Sequence, residues 1–72
     1  VNFKRIERGY IRAYSPAQDT VEIRQEGRAW TLTVLETETG VAMHTFKASR
    51  AYLCCQEACR FFGVGAYRTE NI

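Results

Sequence analysis

Residues 20–35, TVEIRQEGRAWTLTVL, keep a two-residue alternation on both sides of a single glycine. In an extended chain successive side chains point to opposite faces, so Val21 and Ile23 share one face of a strand, as do Trp30, Leu32 and Val34 of the next. Thr31 and Thr33 fall on the reverse side. QEGR supplies Gly27 for the turn between the two runs, and the content of Thr, Val and Trp suits a pleated, half-buried surface. A chain built around this segment must complete a sheet with one buried face.

The flanking segments supply partners for it. GYIRAY reads as a strand that reaches back toward Phe3, with Gly9 as a bulge or bend. SPAQD holds the only proline and marks a loop. After the turn ETETG, VAMHTF forms another strand that turns inward either Val41 and Met43 or Ala42, His44 and Phe46. Beyond Ser49, placed as an N-cap, the period changes from that of a strand to that of a helix, over about Arg50 to Phe62. Gly63 stands at its C-terminal stop. At about 100° per residue, Ala51, Cys54, Cys55, Ala58 and Phe62 form one apolar stripe, while Gln56, Glu57 and Arg60 point away. The expected architecture is α+β: an antiparallel sheet of three or four strands with one C-terminal helix packed on one face. Residues 1–72 read as a single domain, and residues 66–72 as a flexible tail.

Cys54, Cys55 and Cys59 crowd one helix and invite a metal or redox reading, with His44 as a fourth ligand. Helical geometry opposes it, because Cys54 and Cys59 project about 140° apart and cannot converge on one ion. A disulfide is equally poor: residues four apart on a helix hold their Cβ atoms about 5–6 Å apart, and a disulfide needs about 4 Å. A cysteine in mid-helix gains little from the helix N-terminus, so a Cys–His nucleophile is also disfavoured. The thiols are expected to be free and to pack as small hydrophobes. Glu36 and Glu38 sit in a turn, and Gly63 and Gly65 follow the helix, so neither set makes an acid–base pair or a phosphate cradle. The expectation is a protein without catalytic residues, metal or cofactor.

At 46% hydrophobic and 25% charged residues, the chain has the balance of one ordinary soluble domain. Clustered, odd-numbered cysteines suit a reducing, cytoplasmic setting, and no apolar run approaches a membrane span. The net charge of +2 is too small to argue for nucleic acid by itself. Lys4, Arg5, Arg8 and Arg12 nevertheless gather near the start against Glu7 alone. If Ile11 and Ala13 face the core, Tyr10, Arg12 and Tyr14 face outward, with Arg8 at the rim. Tyrosine and arginine concentrate at protein interfaces because each joins large area to directional polar groups. These four residues are the first candidate binding surface. Leu53 and Arg60 on the outer helix face are the second.

The run VEIRQEGRAWTLTVLETETGVAMHTFKASRAYLCCQEACRFFG resembles, in the order and spacing of its elements, small phage-encoded anti-CRISPR proteins built as an antiparallel sheet followed by one helix. That resemblance implies a non-enzymatic inhibitor from a phage or mobile element, acting on a protein partner in a host nucleic-acid-binding complex by occupying its surface. Trp30 with TLTV, Gly40, Phe46 and the following helix are also similar to the three-stranded N-terminal DNA-binding domain of some phage integrases, whose sheet enters the major groove. Here Thr31, Thr33 and Glu22 stand at the exposed positions where such a sheet would carry cations for phosphates. Protein binding is therefore the first expectation and direct DNA binding the alternative.

Overall fold

The computed structural model describes residues 1–72, and the central hairpin lies where the alternation placed it. β1 (Asn2–Glu7), β2 (Tyr10–Tyr14), β3 (Thr20–Glu26), β4 (Ala29–Leu35) and β5 (Ala42–Ala48) are followed by α1 (Ala51–Phe62) and a short β6 (Arg68–Glu70). The strands form one sheet in the order β5-β4-β3-β2-β1-β6. Each of the first five is antiparallel to its neighbour, and β6 runs parallel to β1. The α+β architecture with one helix on an antiparallel sheet thus holds, with six strands in place of three or four.

Two strands account for the difference. β1 is a separate strand because the chain reverses at Arg8 and Gly9. Gly9 has φ +76°, a value that side chains disfavour, and a Cβ there would sit 3.4 Å from that of Gln25. Only Phe3 of β1 is buried, so the segment carries almost no alternation to read. β6 is exposed throughout and is held by backbone pairing of Asn2 with Arg68 and Lys4 with Glu70. The final segment is therefore part of the sheet and not the free tail expected for residues 66–72.

Register follows the hydrophobic pattern. Ile23 pairs with Ile11 and with Leu32, and Val21 pairs with Ala13 and with Val34, so the middle of one face of three adjacent strands is apolar. Together with Phe3 and the helix residues Cys54, Cys55, Ala58 and Cys59 they make the core. On β5 the open choice of register resolves toward the set containing His44 and Phe46, which pair with Val34 and Leu32. Val41 and Met43 remain exposed.

α1 lies over β3, β4 and β5. Its N-cap is Arg50 and provides no side-chain hydrogen bond, so Ser49 is not the cap. Gly63 ends it in the left-handed conformation, its N–H donating to the carbonyls of the last turn. The helix leaves the β1–β2 end of the same face uncovered, and the chain beyond Gly63 closes part of it. Val64 and Tyr67 pack on the core, and Tyr67 meets Phe3 edge-on with ring centroids 5.3 Å apart. This cover also buries Cys59, which the helical projection alone left outside the stripe.

Candidate functional site

The opposite face of the sheet carries no helix. Cross-strand pairing of Lys4 with Arg12, Arg12 with Glu22, and Glu22 with Thr33 sets those side chains side by side on it. Tyr10, Arg12 and Tyr14 project from β2 onto this face, as period 2 requires, while Ile11 and Ala13 are 2% exposed on the other.

The three differ sharply in what they expose. Tyr14 is 51% exposed, but Tyr10 is only 6% exposed and is not the open aromatic expected of it. The cause lies in its neighbours. The Arg24 guanidinium lies 4.1 Å and that of Arg12 5.4 Å from the centre of the Tyr10 ring, a pair of cation–π contacts that cover it. The Tyr10 hydroxyl donates to Glu22 Oε2 at 2.7 Å and accepts from Arg12 Nε at 2.9 Å. Glu22 also receives Arg24 at 3.4 Å. Burial, and then the hydrogen bond to the Glu22 carboxylate, raise the Tyr10 pKa, because both disfavour a phenolate there. At neutral pH Tyr10 is a fixed neutral link between two cations and an acid.

Beside this network, Lys4, Ile6, Arg12 and Tyr14 line a groove of about 350 Å³. Ile6 is 48% exposed, so the groove joins apolar area, an aromatic ring and two cations. Arg12 is half-buried and anchored through Nε, so one edge of its guanidinium is committed to Tyr10 and the rest faces the groove. Arg8 belongs elsewhere. It sits in the β1–β2 turn and lines a second recess, on the helix side of the sheet, together with Arg5 and Trp30. It is not at the rim of the Tyr10–Arg12–Tyr14 patch.

The second candidate surface also changes. Leu53 is half-buried, whereas Tyr52 is 56% and Phe61 43% exposed. Arg60 is exposed, as expected. Glu57, read as pointing away, instead reaches back to β5 and meets His44 Nε2 at 2.8 Å. Phe61 stacks on the same imidazole, with centroids 4.7 Å apart and planes 11° from parallel. A hydrogen-bonding partner thirteen residues away on another element leaves no local signal in the sequence.

The three cysteines are free and buried. Cys54 Sγ donates weakly to the Trp30 carbonyl at 3.5 Å. Burial pushes the Cys55 thiol up to about 12, with the neighbouring Cys54 and Cys59 adding to the shift. Cys54 and Cys59 are raised by the same desolvation. No set of three or more His, Cys, Asp or Glu side chains converges where it could hold a metal ion. No helix is long and apolar enough to cross a membrane.

Comparison with protein-family models, with curated proteins and with solved structures gave no match to this chain.

Proposed function

We propose that the chain is a non-enzymatic protein-binding module that docks a partner on the open face of its sheet, centred on Arg12 and Tyr14 with Lys4 and Ile6 beside them. The supporting observation is the way Arg12 is held. Its Nε is fixed by the Tyr10 hydroxyl next to an exposed tyrosine and a half-exposed isoleucine. An arginine already ordered before contact loses less side-chain entropy on binding, and the adjacent apolar area contributes desolvation. A partner surface with carboxylates among apolar residues fits this chemistry. An inhibitor of the anti-CRISPR kind, acting by occupying a surface of a nucleic-acid-binding complex, is the specific form that we propose for the module.

DNA binding is the second reading. Lys4, Arg12, Arg24 and Lys47 lie on the open face by register, a larger cation set than the β3–β4 hairpin alone displays. Glu22 is interposed and engages Arg24, which weakens the phosphate-binding case.

The experiment compares proteins retained from host lysate by the wild-type chain, by Arg12→Ala, by Tyr14→Ala and by the remote control Arg28→Ala. A specific partner should be lost with the first two and kept with the control, each loss corresponding to about 2 kcal/mol or more in a subsequent titration. Arg12→Ala should cost folding no more than about 1 kcal/mol, the worth of one partly exposed hydrogen bond. Retention of the same partner at unchanged affinity by both variants would remove the proposed face. Submicromolar binding to random duplex DNA, with a log–log salt slope of several units, would put the DNA reading first.

A further inference from the structure

Arg5 is a charged residue on the side of β1 that carries Phe3. It pairs with Ile11 and therefore lies on the core side of the sheet, two residues from the fully buried Phe3. Arg5 is exposed, so water solvates its guanidinium and leaves it free to meet a ligand. Arg5 has no carboxylate within ion-pair distance, and neither has Arg8, since the only arginine with one is Arg24, which meets Glu22.

The two arginines line a recess of about 270 Å³ at the corner that α1 leaves open. Its wall continues through Ile11 and Gln25 to Trp30, which is half-buried against the core, and to Ala51, the first residue of the helix. The first helical turn contains no acidic residue, so nothing on that side neutralises the guanidinium groups. The C-terminal Ile72 also lies against the recess and forms no ion pair with either arginine. The hairpin turn that carries Arg8 is fixed by Gly9, whose carbonyl accepts from Gln25 N–H at 2.9 Å. Arg8 therefore stands on a braced turn and Arg5 on the adjoining strand, both lining the recess with an indole.

We propose that this recess is a binding site for a small phosphate-bearing molecule with a planar ring. Two guanidinium forks match the oxygens of one phosphate, each offering paired N–H donors. The apolar wall of Trp30 and Ile11 supplies contact area for a ring, and Gln25 can donate to or accept from its edge. The volume is near the lower bound of ligand pockets, about 300 Å³, which restricts the ligand to roughly the size of a mononucleotide. The site lies on the other side of the sheet from Arg12 and Tyr14, so a partner docked there would not cover it.

Trp30 is the only tryptophan, so its emission reports on the recess directly. Adenosine monophosphate is the probe, with adenosine and inorganic phosphate as separate arms. Saturable change in Trp30 emission with the monophosphate is expected, together with amide NMR shifts grouped at Arg5, Gly9, Gln25 and Trp30. Binding of adenosine and of phosphate should each be weaker by about tenfold or more, because each retains only half of the contacts. The double variant Arg5→Gln with Arg8→Gln alters two exposed side chains and should fold normally, yet lose at least about tenfold in affinity. Absence of a saturable signal up to about 10 mM monophosphate, a concentration corresponding to negligible affinity, would overturn the proposal. Undiminished binding by the double variant would overturn it as well, as would equal affinity for inorganic phosphate and the monophosphate.

Discussion

Tyr10 shows how one side chain can serve the fold and the surface together. It sits on the open face, yet Arg12 and Arg24 cover it, and its hydroxyl joins Arg12 to Glu22, which Arg24 meets directly. Period 2 fixed which way Tyr10 points but not how exposed it is, because the covering residues come from β3 as well as β2. Tyr10→Phe tests both roles. Glu22 keeps Arg24 and the Arg12 Nε can turn to water, so the expected loss in unfolding free energy, read from urea midpoints, is about 1 kcal/mol. If the hydroxyl orders Arg12 for docking, the same variant should also weaken partner binding, although Tyr10 is itself nearly inaccessible. A fold loss with unaltered partner affinity would show that Arg12 needs no anchor.

At the scale of elements, helix docking has a polar tie that the apolar stripe does not reveal. Glu57 joins α1 to His44 of β5, and Phe61 closes over the imidazole. Glu57→Ala should destabilise by about 1 kcal/mol, and that cost should largely disappear in a His44→Ala background. The double-mutant cycle should give a coupling of about 0.5–1 kcal/mol, within the range for partly exposed charged pairs. Additive losses would mean that the two side chains do not support each other. The β3–β4 hairpin and α1 were legible in the sequence because each buries a full stripe, so periodicity records its environment. β1 and β6 were not, since they are held mainly by backbone pairing and expose nearly all their side chains. The groove was half legible for a similar reason: Arg12 and Tyr14 share a strand, but Lys4 and Ile6 join them only after the chain reverses at Gly9. Proximity in sequence puts Arg8 in the same patch, but the turn carries it to the other side.

Across the whole molecule, burial keeps protons on three core thiols and on two tyrosines, Tyr67 packed on the core and Tyr10 on the open face. Burial raises the pKa of Cys54, Cys55 and Cys59 above the ordinary thiol value of 9.0, and that of Tyr10 and Tyr67 above 10.0. In each case the folded chain holds a proton that the unfolded chain releases first. Well below pH 9 both states keep these protons and stability is independent of them. Above pH 9 the unfolded state binds fewer protons than the folded state, so stability falls as pH rises, and for Cys55 it continues to fall to about 12. Denaturant midpoints between pH 7 and pH 11 should therefore show a plateau followed by a steep alkaline decline. Cys55→Ala removes one of the titrating groups, and its decline should be shallower by up to about 1.4 kcal/mol per pH unit, the limit for one proton. Its plateau should be lower by about 1 kcal/mol, since a small buried group is lost. An alkaline slope equal to that of wild type would mean that the thiol ionises as easily in the folded chain as outside it. Cys55 would then not be the sealed core residue that its 2% exposure describes.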